Sequence, residues 1–156
     1  MMKRALWISL GILLIAFVVI QFFQSPKNIS TEVGVNDLFS QVVDKELEVK
    51  DILGHSCYDC HSNNTHYLWY SRIAPVSWML ASHIKEGKED LNFSEWGLLS
   101  DREKISALQE MGDAVTKGEM PLKGYARLHK KARLSSDQKE QLLKWIDLES
   151  LRLLGQ

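Results

Sequence analysis

The sequence predicts an all-α domain set behind a single membrane-spanning helix, and three observations carry that prediction. A run of nineteen uncharged residues, Ala5 to Phe23, has only Ser9 and Gln21 as polar members. Beyond it, apolar residues recur three and four apart between recognisable helix starts and stops. Nowhere in the rest of the chain does the apolar–polar alternation of a strand persist. The chain accordingly divides into a membrane anchor over residues 1–25, a linker over 26–34 and a helical domain over 35–156.

The anchor is judged by length and by what ends it. Nineteen residues at ~1.5 Å each reach ~28 Å, close to the thickness of a bilayer's hydrocarbon core. The run closes as Ile20-Gln21-Phe22-Phe23-Gln24-Ser25-Pro26, without the small-x-small exit of a cleaved secretory signal, so an uncleaved single-pass anchor is expected. Lys3 and Arg4 hold the short leader on the cytoplasmic side, which sends residues 27–156 to the periplasmic face of the inner membrane. Pro26 to Gly34 reads as a polar linker. A helix over Asn36 to Ile52, carrying Leu38, Val42, Val43, Leu47 and Val49, leads into the most informative stretch.

That stretch is His55-Ser56-Cys57-Tyr58-Asp59-Cys60-His61-Ser62, which contains Cys-x-x-Cys-His, the attachment signature of a c-type haem. In a helix, Cys57, Cys60 and His61 stand at i, i+3 and i+4 and project from one face. Two thioethers then fix one edge of the porphyrin while the imidazole of His61 reaches the iron. These are the only two cysteines in 156 residues, so neither is spare. Three other uses compete. A structural zinc site drawing on His55, His61 or His66 would want its ligands in two separated clusters. A thioredoxin-like redox pair would want a βαβ setting, and a plain disulfide leaves the adjacent His61 unexplained. Covalent haem also fits the exported compartment that the anchor implies.

After a turn at Asn63-Asn64-Thr65 comes the aromatic cluster Tyr67-Leu68-Trp69-Tyr70. Pro75 opens a helix of about three turns with Val76, Met79, Leu80 and Ile84 on one side and Gly87 past its end. His83 rides on it, either as a surface histidine or as an iron ligand. Leu91 to Gly97 reads as a loop holding Phe93 and Trp96. Ser100 and Glu103 form a capping box for a helix bearing Ile105, Leu108, Met111 and Val115, with Lys117 in its last turn and Gly118 beyond it. Met120 follows, held out of that helix by Pro121, which disfavours helical backbone in the residue before it. Packing on predicted helix faces explains Met79 and Met111, so Met120 is the candidate distal iron ligand, with His83 as the alternative. A cap at Leu134-Ser135-Ser136-Asp137-Gln138 opens a closing helix whose apolar side is Leu142, Leu143, Trp145 and Ile146, with regular packing ending near Glu149.

The order of these elements is similar to that of small soluble cytochromes c, in which the motif histidine and a later methionine sandwich the iron and terminal helices pack together. More closely, Cys57 to Asn63, Trp69-Tyr70-Ser71-Arg72-Ile73-Ala74-Pro75-Val76-Ser77-Trp78 and Leu91-Asn92-Phe93-Ser94-Glu95-Trp96 resemble the bacterial haem-binding domain family. Its members are known chiefly as membrane-anchored or exported proteins with one c-type haem motif. The resemblance spans about residues 35 to 150 and implies a cytochrome c-like helical fold around one covalent haem c, attached at Cys57 and Cys60, with His61 as proximal iron ligand.

Nineteen Lys and Arg less Lys3 and Arg4 leave 17 basic residues against 20 acidic ones in the exported part, which removes the electrostatic case for nucleic acid. The expected role is electron transfer by a membrane-anchored carrier, not an enzyme, because His/Met ligation fills both axial positions of the iron. Burial of the macrocycle by Tyr67, Trp69, Tyr70, Trp78 and Trp96 is expected to keep water away. The basic residues Lys123, Arg127, His129, Lys130, Lys131 and Arg133 are either a solvated face or the docking surface for an acidic redox partner. The alternative is a haem-based gas sensor, or a weak peroxidase with His83 as distal acid–base group, either of which needs an open or labile distal site.

Overall fold

A computed structural model of the chain describes residues 2–30, 34–41 and 47–155. Among these described residues eight α-helices follow one another: α1 Met2–Ile20, α2 Leu38–Gln41, α3 Leu47–Ser56, α4 Tyr58–His61, α5 Val76–Asp90, α6 Asp101–Lys117, α7 Lys123–Leu128 and α8 Ser136–Leu153. Short 3₁₀ turns stand at Trp69–Arg72, Phe93–Leu98 and Lys130–Ala132. The described residues contain no strand, only one antiparallel bridge between Ile29 and Asn64. The expected all-α architecture is therefore the one observed.

Beyond Lys3 and Arg4, helix α1 is apolar around its circumference but for Ser9, and it has no buried residue. With a mean hydropathy of 2.1 it is long and apolar enough to cross a membrane. Its end is tied to the helical domain by a reciprocal amide pair. Gln21 Nε2 donates to the Ala74 carbonyl at 3.2 Å, and the Ala74 N–H donates to Gln21 Oε1 at 2.9 Å. The expected polar linker is also stitched down. Asn28 Nδ2 donates to the Ser62 carbonyl and to Thr65 Oγ1, and the Ser30 N–H donates to the Asn63 carbonyl.

The core lies where α3, α6 and α8 meet the 3₁₀ turn at Phe93–Leu98, with Leu53, Phe93, Trp96, Leu108, Leu142 and Trp145 among its buried residues. Full burial of a side chain such as Phe93 contributes about 1.5–3 kcal/mol. The caps work as the sequence predicts. Ser100 and Glu103 cap α6 reciprocally, and Ser135 and Gln138 do the same for α8. Gly118 ends α6 in the left-handed region at φ 69°, where a Cβ would be strained.

Four boundaries differ from expectation. The helix expected over Asn36 to Ile52 is described only as α2 and the start of α3, and Val42 and Val43 lie outside the described residues. Helix α5 runs on through Gly87 to Asp90. Gly87 is buried, and a Cβ there would stand 3.1 Å from the Cys60 carbonyl oxygen, so this glycine permits close packing of α5 on α4 rather than ending the helix. The stretch after Leu91 is a 3₁₀ turn with Phe93 and Trp96 each 1% exposed. Helix α8 continues past Glu149 to Leu153, its last turn held by the Arg152–Glu149 pair at 2.6 Å.

Candidate functional site

Cys57, Cys60 and His61 do not lie on one continuous helix. α3 stops at Ser56, Cys57 adopts φ −128° and ψ −43°, and α4 begins at Tyr58. The Cys57 carbonyl nevertheless accepts hydrogen bonds from the N–H groups of Cys60 at 3.1 Å and His61 at 3.0 Å, so the motif closes a single turn of its own.

The two residues between the cysteines pin that turn from both sides. Tyr58 stacks on Phe39 at 3.9 Å and on Phe93 at 5.0 Å, and its hydroxyl donates to Asp37 Oδ1 at 2.8 Å. Asp37 is buried, and three donors hold it: Tyr58, the Phe39 N–H and Ser94 Oγ. Asp59 uses both carboxylate oxygens, accepting from the His66 N–H at 2.9 Å and the Tyr125 hydroxyl at 2.6 Å. Sequence reasoning passed over both positions. A Tyr-Asp pair inside the motif was visible, but partners as distant as Asp37 and Tyr125 were not.

His61 is oriented by α5. Its Nδ1 lies 3.0 Å from the Leu91 carbonyl, and Leu91 is itself fixed where α5 ends, its N–H donating to the Gly87 carbonyl at 2.9 Å. A carbonyl only accepts, so Nδ1 carries the proton and Nε2 presents its lone pair, the tautomer a metal-binding imidazole needs. The ring lies 5.9 Å from that of Phe93 at 47°. Burial and the neighbouring Cys60 push the Cys57 thiol up to about 12, while burial and then Asp59 push Cys60 up to about 11. Both side chains are therefore protonated thiols at neutral pH, and the two are free rather than joined.

A cavity of about 340 Å³ opens against this turn, at the lower end of the ~300–1,000 Å³ usual for ligand pockets. Cys57, His61 and Met120 all line it, although 59 positions separate His61 from Met120 in the chain. Met120 arrives because Gly118 turns the chain back and the N–H groups of Glu119 and Met120 both donate to the Ala114 carbonyl, at 2.9 and 3.2 Å. The lining is mainly apolar, with Leu91, Phe93, Ala114, Val115 and Pro121, and carries Asp90 and Glu110 as its charged members. Met111 also lines it, a second thioether that the helix periodicity assigned to packing alone. Its place beside Val115 on the inner face of α6 was the available signal.

Other expected contributors stand elsewhere. Cys60 is half-buried and is not among the lining residues. His83 is half-exposed on α5 and does not line the cavity. His129 stacks on Tyr125 at 4.0 Å and meets the Tyr70 hydroxyl through its Nε2, and burial lowers its pKa. The aromatic screen differs as well. Tyr67, Trp69, Tyr70, Trp78 and Trp96 do not line the cavity, because Trp96 is consumed by the core, Trp69 is 76% exposed and Trp78 is turned to the chain leaving α1. Phe93 takes that place. No group of three or more His, Cys, Asp or Glu side chains suited to a metal ion occurs among the described residues.

These residues suit a large flat apolar ligand with a metal at its centre. The cavity offers an imidazole with a directed lone pair, a thioether and an apolar wall, and Ser56 Oγ lines it buried and without a hydrogen-bond partner among the described residues. Fold and site together are those of an all-helical protein with a pocket able to take such a ligand. The sequence matches the family described as Haem-binding domain over residues 15–148, and the chain belongs to that family. No curated protein and no solved structure matches the chain.

Proposed function

We propose that this protein is a membrane-anchored c-type cytochrome that carries electrons on the periplasmic side of the inner membrane. The observation that supports this most is the convergence of Cys57, His61 and Met120 on one apolar cavity, with His61 held by Leu91 in its ligating tautomer. Cys57 and Cys60 would hold one haem as thioethers, His61 would ligate the iron as proximal ligand, and Met120 would ligate it as distal ligand. When bound, haem supplies the one-electron couple.

The chain's own residues supply position and dielectric. The Leu91 carbonyl keeps the proton on Nδ1, which raises the basicity of the opposite nitrogen. Phe93, Leu91, Ala114 and Val115 give the cavity an apolar wall, which would keep water from a bound haem. Tyr58 and Asp59 restrain the motif turn, so the reorganisation that accompanies a change of charge stays small. Lys123, Arg127, Lys130 and Lys131 are exposed, and none of them forms an ion pair among the described residues, which supports an acidic redox partner docking near Met120.

The test is an optical spectrum of the full chain, oxidised, reduced, and reduced under carbon monoxide, for the natural protein and for Met120→Ala and Met111→Ala. The natural protein and Met111→Ala are expected to be six-coordinate and low-spin, with the red methionine-to-iron charge-transfer band and no response to carbon monoxide. Met120→Ala is expected to keep its haem, lose that band and bind carbon monoxide. Rapid carbon monoxide binding by the natural protein would move the reading to gas sensing or peroxide chemistry, and loss of the band in Met111→Ala alone would move the distal ligand to α6.

A further inference from the structure

The end of α1 and the start of α5 form one surface. Gln21, the first residue past α1, exchanges two hydrogen bonds with the backbone of Ala74, and the Trp78 indole N–H donates to the Phe23 carbonyl. Gln21 Nε2 donates to the Phe17 carbonyl at 2.9 Å as well as to that of Ala74 at 3.2 Å, so Ala74 stands directly against the last turn of α1. The polar layer of each leaflet is about 5–8 Å deep, half the difference between the whole bilayer and its hydrocarbon core. An α1 that spans the membrane therefore delivers Ala74 to Met79 into that layer.

The side chains there match it. Pro75, Trp78 and Met79 stand at i, i+3 and i+4, hence on one face of α5, and all three are exposed. Met79 is 55% exposed and Phe22 and Phe23 beside the helix end are 82% and 66% exposed. An apolar cluster of this kind is unfavourable in water. Its indole ring, with the N–H already bonded to Phe23, suits the water–lipid boundary, where Trp is enriched.

We propose that this face of the domain, made by Phe22, Phe23, Pro75, Trp78 and Met79, is seated in the interfacial layer of the bilayer, so that the haem domain is held at a fixed attitude rather than swinging on a tether. The proposal rests on the reading of α1 as a membrane anchor. A different, buried side of the same helix packs on α4, where Gly87 of α5 abuts Cys60, so the attitude of α5 sets that of the motif turn.

The experiment places a benzophenone amino acid at position 79, at position 14 inside α1 and at exposed position 144 on α8, one at a time, in the full chain reconstituted into phosphatidylcholine–phosphatidylglycerol vesicles. After illumination, lipid adducts are read by mass spectrometry and protein–protein adducts by gel. Adducts with lipid at 14 and 79, at least tenfold above those at 144, are expected. Lipid adducts at 14 with none at 79 would leave the anchor standing and overturn the seating, as would dimer adducts at 79 in place of lipid. No lipid adduct at 14 would overturn the anchor and the seating together. Equal adducts at 79 and 144 would show that no face is preferred and would also overturn it. A second probe at Pro75, judged by the same criteria, guards against a local disturbance at 79.

Discussion

Replacing Gly87 with alanine opposes two effects of known size. In a helix interior the change is worth about 1 kcal/mol in favour of the folded state. At this position the added Cβ would stand 3.1 Å from the Cys60 carbonyl oxygen and 3.4 Å from its carbonyl carbon and Cβ. That neighbour is backbone, in a turn closed by two hydrogen bonds to the Cys57 carbonyl and braced by Asp59, so it yields only by moving the whole motif. Overpacking of this kind costs about 1–3 kcal/mol, and the net expectation is a loss of about 1 kcal/mol. Gly124→Ala is the control, because a Cβ there meets nothing within 4 Å and only the helix gain remains. In thermal unfolding of the full chain in detergent, Gly87→Ala is expected to melt lower by roughly 4 °C and Gly124→Ala higher by up to that amount. Equal gains in both variants would refute the packing of α5 on α4 and with it the role assigned to Gly87.

Alkaline conditions are expected to weaken the fold. Burial, and then the carboxylates of Asp37 and Asp59, hold the Tyr58 and Tyr125 phenols well above their ordinary value of 10.0. The unfolded chain releases these protons near pH 10 while the native state keeps them, so stability is fully present below that pH and falls as pH rises beyond it. Denaturant midpoints at about pH 8 and about pH 11 measure the loss, and Tyr58→Phe and Tyr125→Phe should each flatten it. Electron exchange with an acidic redox protein is expected to slow by tenfold or more as salt is raised. Stopped-flow rates on Lys130→Gln and Lys131→Gln should show a shallower salt dependence, and a salt-independent natural rate would remove the docking role of the basic residues.

Local chemistry was legible in the sequence wherever one stretch of chain decided it. The capping boxes at Ser100 and Ser135, the turn at Gly118 and the apolar run of α1 were of that kind. Met120 was singled out because Pro121 sets its backbone, and the structure brings it into the cavity with Cys57 and His61. What escaped depended on distant partners. Gly87 carries the same local signal whether it ends a helix or lets another backbone approach, and only the crossing of α4 distinguishes the two. Leu91 offers nothing but a carbonyl, which no sequence pattern marks, yet it sets the tautomer of His61. The exposed and buried tryptophans differ in tertiary position rather than in local composition, which is why Trp96 and Trp69 were expected in one role and occupy two others.

Covalent haem on Cys57 and Cys60 would show in the mass of the denatured protein. The full chain, produced in a host able to attach c-type haem and extracted with acidified acetone before intact mass measurement, is expected to retain one haem, with both cysteines blocked to alkylation. Cys57→Ser and Cys60→Ser are each expected to leave one remaining thioether or none. A natural protein whose mass is that of the bare chain, with two alkylatable thiols, would rule out covalent attachment at Cys57 and Cys60.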